Sequence, residues 1–105
     1  MATYLLAYHG GKMPATEAEQ KTVMAAWDAW LKQVGTALVD GGNPVGKAQT
    51  VAQDGKVTDG GGANPVSGYS LIKVDGIDKA VAAAKMCPVL AGGGSVEVCE
   101  TFEAM

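Results

Sequence analysis

The chain has 105 residues, with 8 basic and 11 acidic side chains for a net charge of −3, and 48% of its residues are apolar. That length is one domain, 1–105. No run of Lys or Arg exists to track a phosphate backbone, so nucleic acid is not an expected partner. No apolar stretch approaches a membrane span, and the first residues lack a basic leader with a cleavage site; the expected location is cytoplasmic. The apolar content is rich for so small a chain and predicts a second buried surface. Cys87 and Cys99 stand in no CxxC pattern and are expected to be reduced thiols, Cys99 as a small apolar filler in a strand.

Residues 3–9, TYLLAYH, predict a first strand. Tyr4, Leu6 and Tyr8 point one way and Leu5, Ala7 and His9 the other, with both sides largely apolar, which suits a central strand. GGKMPATEAE turns the chain into a helix, with Thr16 and Glu19 spaced as a capping box. Val23, Met24, Trp27, Trp30, Leu31 and Val34 follow at helical spacing as one inward stripe, and Gly35 is the stop. On that stripe Trp27 and Trp30 are expected in the core.

TALVD (36–40) reads as a short second strand, broken by GGNPVG. QTVAQDGKVTDG (49–60) reads as a hairpin turning on Asp54-Gly55, both residues expected at positive φ. SGYSLIKVD (67–75) is a third main strand, with Tyr69 and Leu71 opposed to Ile72 and Val74. GIDKAVAAAKM (76–86) is a second helix with Ile77, Ala80, Val81 and Ala84 inward, and Pro88 beyond its end. SVEVCETFE (95–103) is the last strand, Val96 and Val98 alternating against Glu97 and Cys99.

The order strand, helix, strand, hairpin, strand, helix, strand predicts an α+β, ferredoxin-like split βαβ sheet with an inserted β-hairpin. Both helices then lie on one face. The other face is apolar in the first and third main strands and has no cover in the chain, which predicts a homodimer with sheets face to face. The same topology brings the end of the first strand, the loop after Asp40, and the starts of the third and fourth main strands to one edge. His9, Asp40, Asp59, Tyr69 and Gly92–Gly94 are expected to gather there.

His9 is the single histidine. Imidazole exchanges protons near neutrality and suits general acid–base work. It reads either as a reagent oriented by Asp59 or Asp40, or as a strand-end side chain bonded to a loop. Asp59 and Asp40 each precede glycines, which is also ordinary turn chemistry. GGNPVGKA (41–48) comes close to a phosphate loop, but Ala48 supplies no hydroxyl for magnesium and a strand follows instead of a helix. AGGGS (91–95) leads from helix to strand, the reverse of a dinucleotide loop. No HxH, HxxxH or CxxC spacing marks a metal, so neither a metal nor a cofactor is expected.

YLLAYHGG, AAWDAWLKQVGTALVDGG, VTDGGG, GYSLIKVDGIDKAVAAAKMCP and GGGSVEV together resemble the YCII-related family, in its DGPF-domain branch. Asp59 and Gly60 match the first half of that branch's Asp-Gly-Pro-Phe; Gly61 and Gly62 stand in place of its second half. Trp27 stands where the sister branch carries a helix-borne histidine. The resemblance implies a bacterial, dimeric α+β barrel of ferredoxin-like subunits, a proposed His–Asp pair in a cleft, and, for some members, an association with sigma factors. The leading functional expectation is a homodimer that binds a small organic ligand, with His9 and Asp59 as the acid–base pair and Asp40 and Tyr69 as ligand contacts. The alternative is a non-catalytic sensor or accessory protein tied to sigma-factor regulation.

Overall fold

In a computed structural model describing residues 1–103, eight principal elements follow in chain order. They are β1 (Ala2–His9), α1 (Glu17–Val34), β2 (Leu38–Asp40), β3 (Gln49–Val51), β4 (Val57–Asp59), β5 (Val66–Val74), α2 (Ile77–Ala84) and β6 (Ser95–Glu100). The sheet order is β2-β5-β1-β6 with every neighbouring pair antiparallel, so β1 and β2 run the same way on either side of β5. β3 and β4 form a separate two-stranded hairpin. This is the α+β order expected of a ferredoxin-like chain. Among the described residues no helix is long and apolar enough to cross a membrane.

The alternation read from the strands sets the two faces. Tyr4, Leu6 and Tyr8 of β1 and Ile72 of β5 are buried with Trp30 of α1 and Ala80 and Ala84 of α2, and Val96 and Val98 pack on the same cluster. Both helices therefore cover one side. Leu5, Tyr69, Leu71 and Cys99 project from the other side and stay only partly covered. We call that side the open face.

Local chemistry explains the helix limits. Thr16 Oγ1 accepts the Glu19 N–H at 3.1 Å, and Glu19 Oε2 accepts the Ala15 N–H at 2.8 Å. The carboxylate thus reaches one residue further back than a capping box requires, and the same free end is satisfied. Gly35 ends α1 at φ 61° and bonds back to Leu31.

Three expectations need correction. Val23 and Met24 are exposed, although they lie on the predicted stripe. Helix α1 has 18 residues, which is about 27 Å of rise, and buried or half-buried positions begin only at Trp27; its first half overhangs the core. Ile77 is also exposed, because it opens α2 and the inward face begins at Ala80. In the hairpin, Gly55 alone takes a positive φ, of 88°. The Gly55 N–H bonds Ala52 O at 2.9 Å and Asp54 Oδ1 accepts the Lys56 N–H at 2.9 Å, so the connection is wider than a two-residue turn.

Candidate functional site

Strand β1 ends on His9, which pairs with Val66 of β5 and Ser95 of β6 after a register shift at Tyr8/His9. Glu97 pairs with Ala7. His9 and Glu97 are therefore diagonal neighbours on the open face, within reach of a long side chain. Their contact is 3.0 Å, His9 Nε2 to Glu97 Oε1. His9 is 7% exposed, whereas the Glu97 side chain is 62% exposed. Water screens the pair, so its worth to folding is at most about 1 kcal/mol.

The second ring nitrogen settles the tautomer. His9 Nδ1 lies 3.1 Å from Asn64 O and 3.2 Å from Pro65 O. Carbonyl oxygens only accept, so Nδ1 carries a hydrogen. Nε2 and Oε1 then share a single proton, either as imidazolium with carboxylate or as imidazole with carboxylic acid. Proton transfer to or from this site passes through Nε2.

Cys99 lies two residues beyond Glu97 on the same face and donates its S–H to Glu97 Oε2 at 3.7 Å. Burial, and then the adjacent carboxylate, push the Cys99 thiol up. Burial likewise raises Cys87. Both thiols stay protonated at neutral pH, which disfavours them as nucleophiles. Cys99 is thus half-buried and hydrogen-bonded to a carboxylate, where an inert apolar filler was expected.

Across the sheet, Tyr69 and Glu97 both pair with Ala7, one from each side. Tyr69, Ala7 and Glu97 form one rung of the open face; Leu71, Leu5 and Cys99 form the next. The smallest side chain sits between a phenol and a carboxylate, with His9 at the end of the row.

Under this rung, on the helix side, lies a fully paired polar chain. Tyr8 donates to Ser70 Oγ at 2.7 Å, and Ser70 donates to Gly41 O at 2.7 Å. It ties the loop after β2 to the central strands. Burial holds the Tyr8 phenol above the ordinary tyrosine value, only partly offset by the Ser70 bond. Tyr4 is raised too, by burial and by Glu100. A phenol raised on folding keeps its proton where the unfolded chain has lost it, so stability falls as pH climbs past about 10. The expected slope from Tyr8 is about 1.4 kcal/mol per pH unit above that point. Urea midpoints from pH 9 to 11.5 measure it, with Tyr8→Phe expected to flatten the decline.

The residues expected to gather do so in part. His9, Tyr69 and the glycines before β6 share the edge; a Cβ on Gly94 would come within 2.6 Å of His9 O. Asp59 sits exposed on the hairpin and accepts from Gln49 Nε2 at 3.1 Å. Asp40 Oδ1 accepts the Gly42 N–H at 2.8 Å. The carboxylate that meets the imidazole is that of Glu97, a residue the sequence reading left out. The available signal was its position: a charge on the same face of the last strand as Leu5 and Ala7 of the first. Trp27 and Trp30 both join the core as expected, Trp30 buried and Trp27 half-buried. Among the described residues, no three His, Cys, Asp or Glu side chains cluster as metal ligands do.

No family model matches the chain, and no curated protein does. A solved structure does: 5-chloro-2-hydroxyhydroquinone dehydrochlorinase (TftG) from Burkholderia phenoliruptrix AC1100, in complex with 2,5-dihydroxybenzoquinone. The likeness has a TM-score of 0.56 and covers 96% of this chain and 93% of that one, at 16% sequence identity. At that identity it shows a shared fold.

Proposed function

We propose that this chain acts as a homodimer that binds a small organic ligand over Ala7, between Tyr69 and the His9–Glu97 pair, and moves a proton on it. The observation that carries the reading is the 3.0 Å contact between a nearly buried imidazole and a largely exposed carboxylate, on a face no helix covers. Leu5, Leu71 and Cys99, one rung further in, supply the apolar centre against which a second sheet packs. Pairing two such sheets makes the α+β barrel implied by the resemblance to the DGPF branch, and leaves the Ala7 rung at the rim.

The chemistry follows from the donors. Nδ1–H is held by two carbonyls, so Nε2 is the exchanging atom. The pair gives its shared proton to a basic atom of the ligand, which leaves imidazole beside carboxylate, and Nε2 then takes one back from an acidic C–H or O–H of the ligand, with the Glu97 carboxylate balancing the charge on the ring. Proton transfer or isomerisation needs no nucleophile, in keeping with two protonated thiols. Tyr69 supplies a hydrogen bond to the ligand. Asp40 acts through the turn that seats Tyr69. Asp59, the sequence-level candidate for the acid–base partner, gives that role to Glu97. The dihydroxybenzoquinone in the neighbouring fold supports a polar, ring-sized ligand.

The test is thermal unfolding of the protein against a panel of hydroxylated quinones, lactones and enol acids. A binder at 100 times its Kd is expected to stabilise the native state by about 2.7 kcal/mol. His9→Gln and Glu97→Gln each are expected to weaken it at least tenfold, and Ala7→Leu to block it by filling the rung. Wild-type affinity in all three variants would place the ligand elsewhere.

The second reading, a non-catalytic sensor, is favoured by one observation: both ring nitrogens of His9 already have partners within 3.2 Å. Proton exchange of a bound ligand with D2O, followed by NMR, separates the two. A sensor binds without exchange.

A further inference from the structure

The hairpin stands apart from the four-stranded sheet. Every residue of β3 and β4 is exposed. Val51 and Val57 face each other across it at 68% and 52% exposure, on the same side as the bonded Gln49–Asp59 pair. An isolated two-stranded hairpin is marginal in water without a surface to pack on, and among the described residues nothing buries either strand.

The exposed area is large enough for a second copy to be that surface. The chain exposes 7472 Å², whereas a compact monomer of 10.6 kDa exposes about 5,500 Å². Its radius of gyration is 15.1 Å, against about 13 Å for a compact domain of this length. The excess, about 2,000 Å², exceeds the ~800 Å² that each partner commits to a standard interface. The half-buried apolar side chains of the open face and the exposed ones of the hairpin both contribute to that area.

The root of the hairpin also leads to the site. Gly60 N–H bonds Ala48 O at 2.9 Å and Thr50 Oγ1 donates to Gly60 O at 2.7 Å. Gly61 then packs so closely on Pro65 that a Cβ there would lie 2.9 Å from the proline ring. Asn64 and Pro65 are the residues whose carbonyls hold His9 Nδ1.

We propose that the β3–β4 hairpin is a clasp that lies against a second copy of this chain with Val51 and Val57 inward, and that this contact holds the Asn64–Pro65 loop, and through it His9, in place. The inference rests on the homodimer of the preceding reading. Each site is complete only when the hairpin beside it is docked.

The experiment is sedimentation equilibrium of the full chain, wild type against Val51→Asp/Val57→Asp, with hydrogen exchange read at residues 57–66. The expected result is a wild-type dimer, a dimer constant at least tenfold weaker in the variant, and faster exchange through the Asn64–Pro65 loop. A variant that dimerises as the wild type does overturns the clasp and leaves the dimer standing. A monomeric wild type at 100 µM overturns the clasp and the dimer together. If the aspartate pair prevents folding, Val51→Thr/Val57→Thr, which keeps strand-compatible side chains, decides by the same two readouts.

Discussion

Gly42→Ala is expected to cost more than about 3 kcal/mol, a large share of the 5–15 kcal/mol that holds a domain together. A Cβ at this position would overlap Tyr69 O and stand 2.6 Å from its carbonyl carbon. Those are backbone atoms of a paired strand, not the tip of a side chain that can swing away. The φ of Gly42 is 74°, which alanine adopts only with strain. Nor can the loop retreat easily. Asp40 Oδ1 holds the Gly42 N–H, Ser70 Oγ holds Gly41 O, and Pro44 bridges to Gly68. The measurement is thermal unfolding by circular dichroism, where a loss of this size lowers Tm by roughly 12 °C or more in a chain of this length. Gly46→Ala is the control: no atom lies within 4 Å of its Cβ and its φ is not positive, so a change within about 0.5 kcal/mol is expected. A Gly42→Ala protein that melts like the wild type would show that the chain does not pass this close to Tyr69.

The second large effect falls on the helix side. Trp30 is buried in the central cluster and its indole N–H donates to Ala83 O at 2.9 Å, which joins α1 to α2. It packs edge-on against Trp27 at 5.8 Å between ring centroids, and Trp27 packs against Tyr8 at 5.2 Å. Trp30→Ala is expected to cost about 3–5 kcal/mol, from lost burial and the cavity left behind. Trp30→Phe keeps most of the volume and is expected to cost less, about 1–2 kcal/mol for the missing hydrogen bond and the smaller ring. Urea unfolding followed by circular dichroism orders the two. Equal losses would mean that the bond to Ala83, rather than the packing, carries the position.

These two sites show why folding and function separate in this molecule. Gly42 and Trp30 act on the loop and the core that set the sheet, whereas His9 and Glu97 face away from the helices. Glu97→Gln is therefore expected to change ligand binding with little change in unfolding, since its carboxylate is exposed and the ion pair is water-screened.

The period of two in TYLLAYH, SGYSLIKVD and SVEVCE was sufficient to assign both faces of the sheet, because a strand turns alternate residues to opposite sides whatever surrounds it. Strand order followed from the alternation of strands and helices, and with it the meeting of His9, Tyr69 and the glycines at one edge. Helix α1 could be placed, but not how far its stripe would find a core; only the tertiary structure shows Val23 and Met24 beyond the packed region. The sequence pointed to Asp59, or else Asp40, as the partner of His9 and passed over Glu97 for the same kind of reason. Asp40, Asp59 and Glu97 are equally able to accept a proton, and which one meets the ring depends on register across β1 and β6 to within one residue. Local chemistry took the two aspartates, one for the turn at Gly42 and one for Gln49 across the hairpin. A side chain's kind is written in the sequence, whereas its distance from a group 88 positions away is set by the pairing of strands.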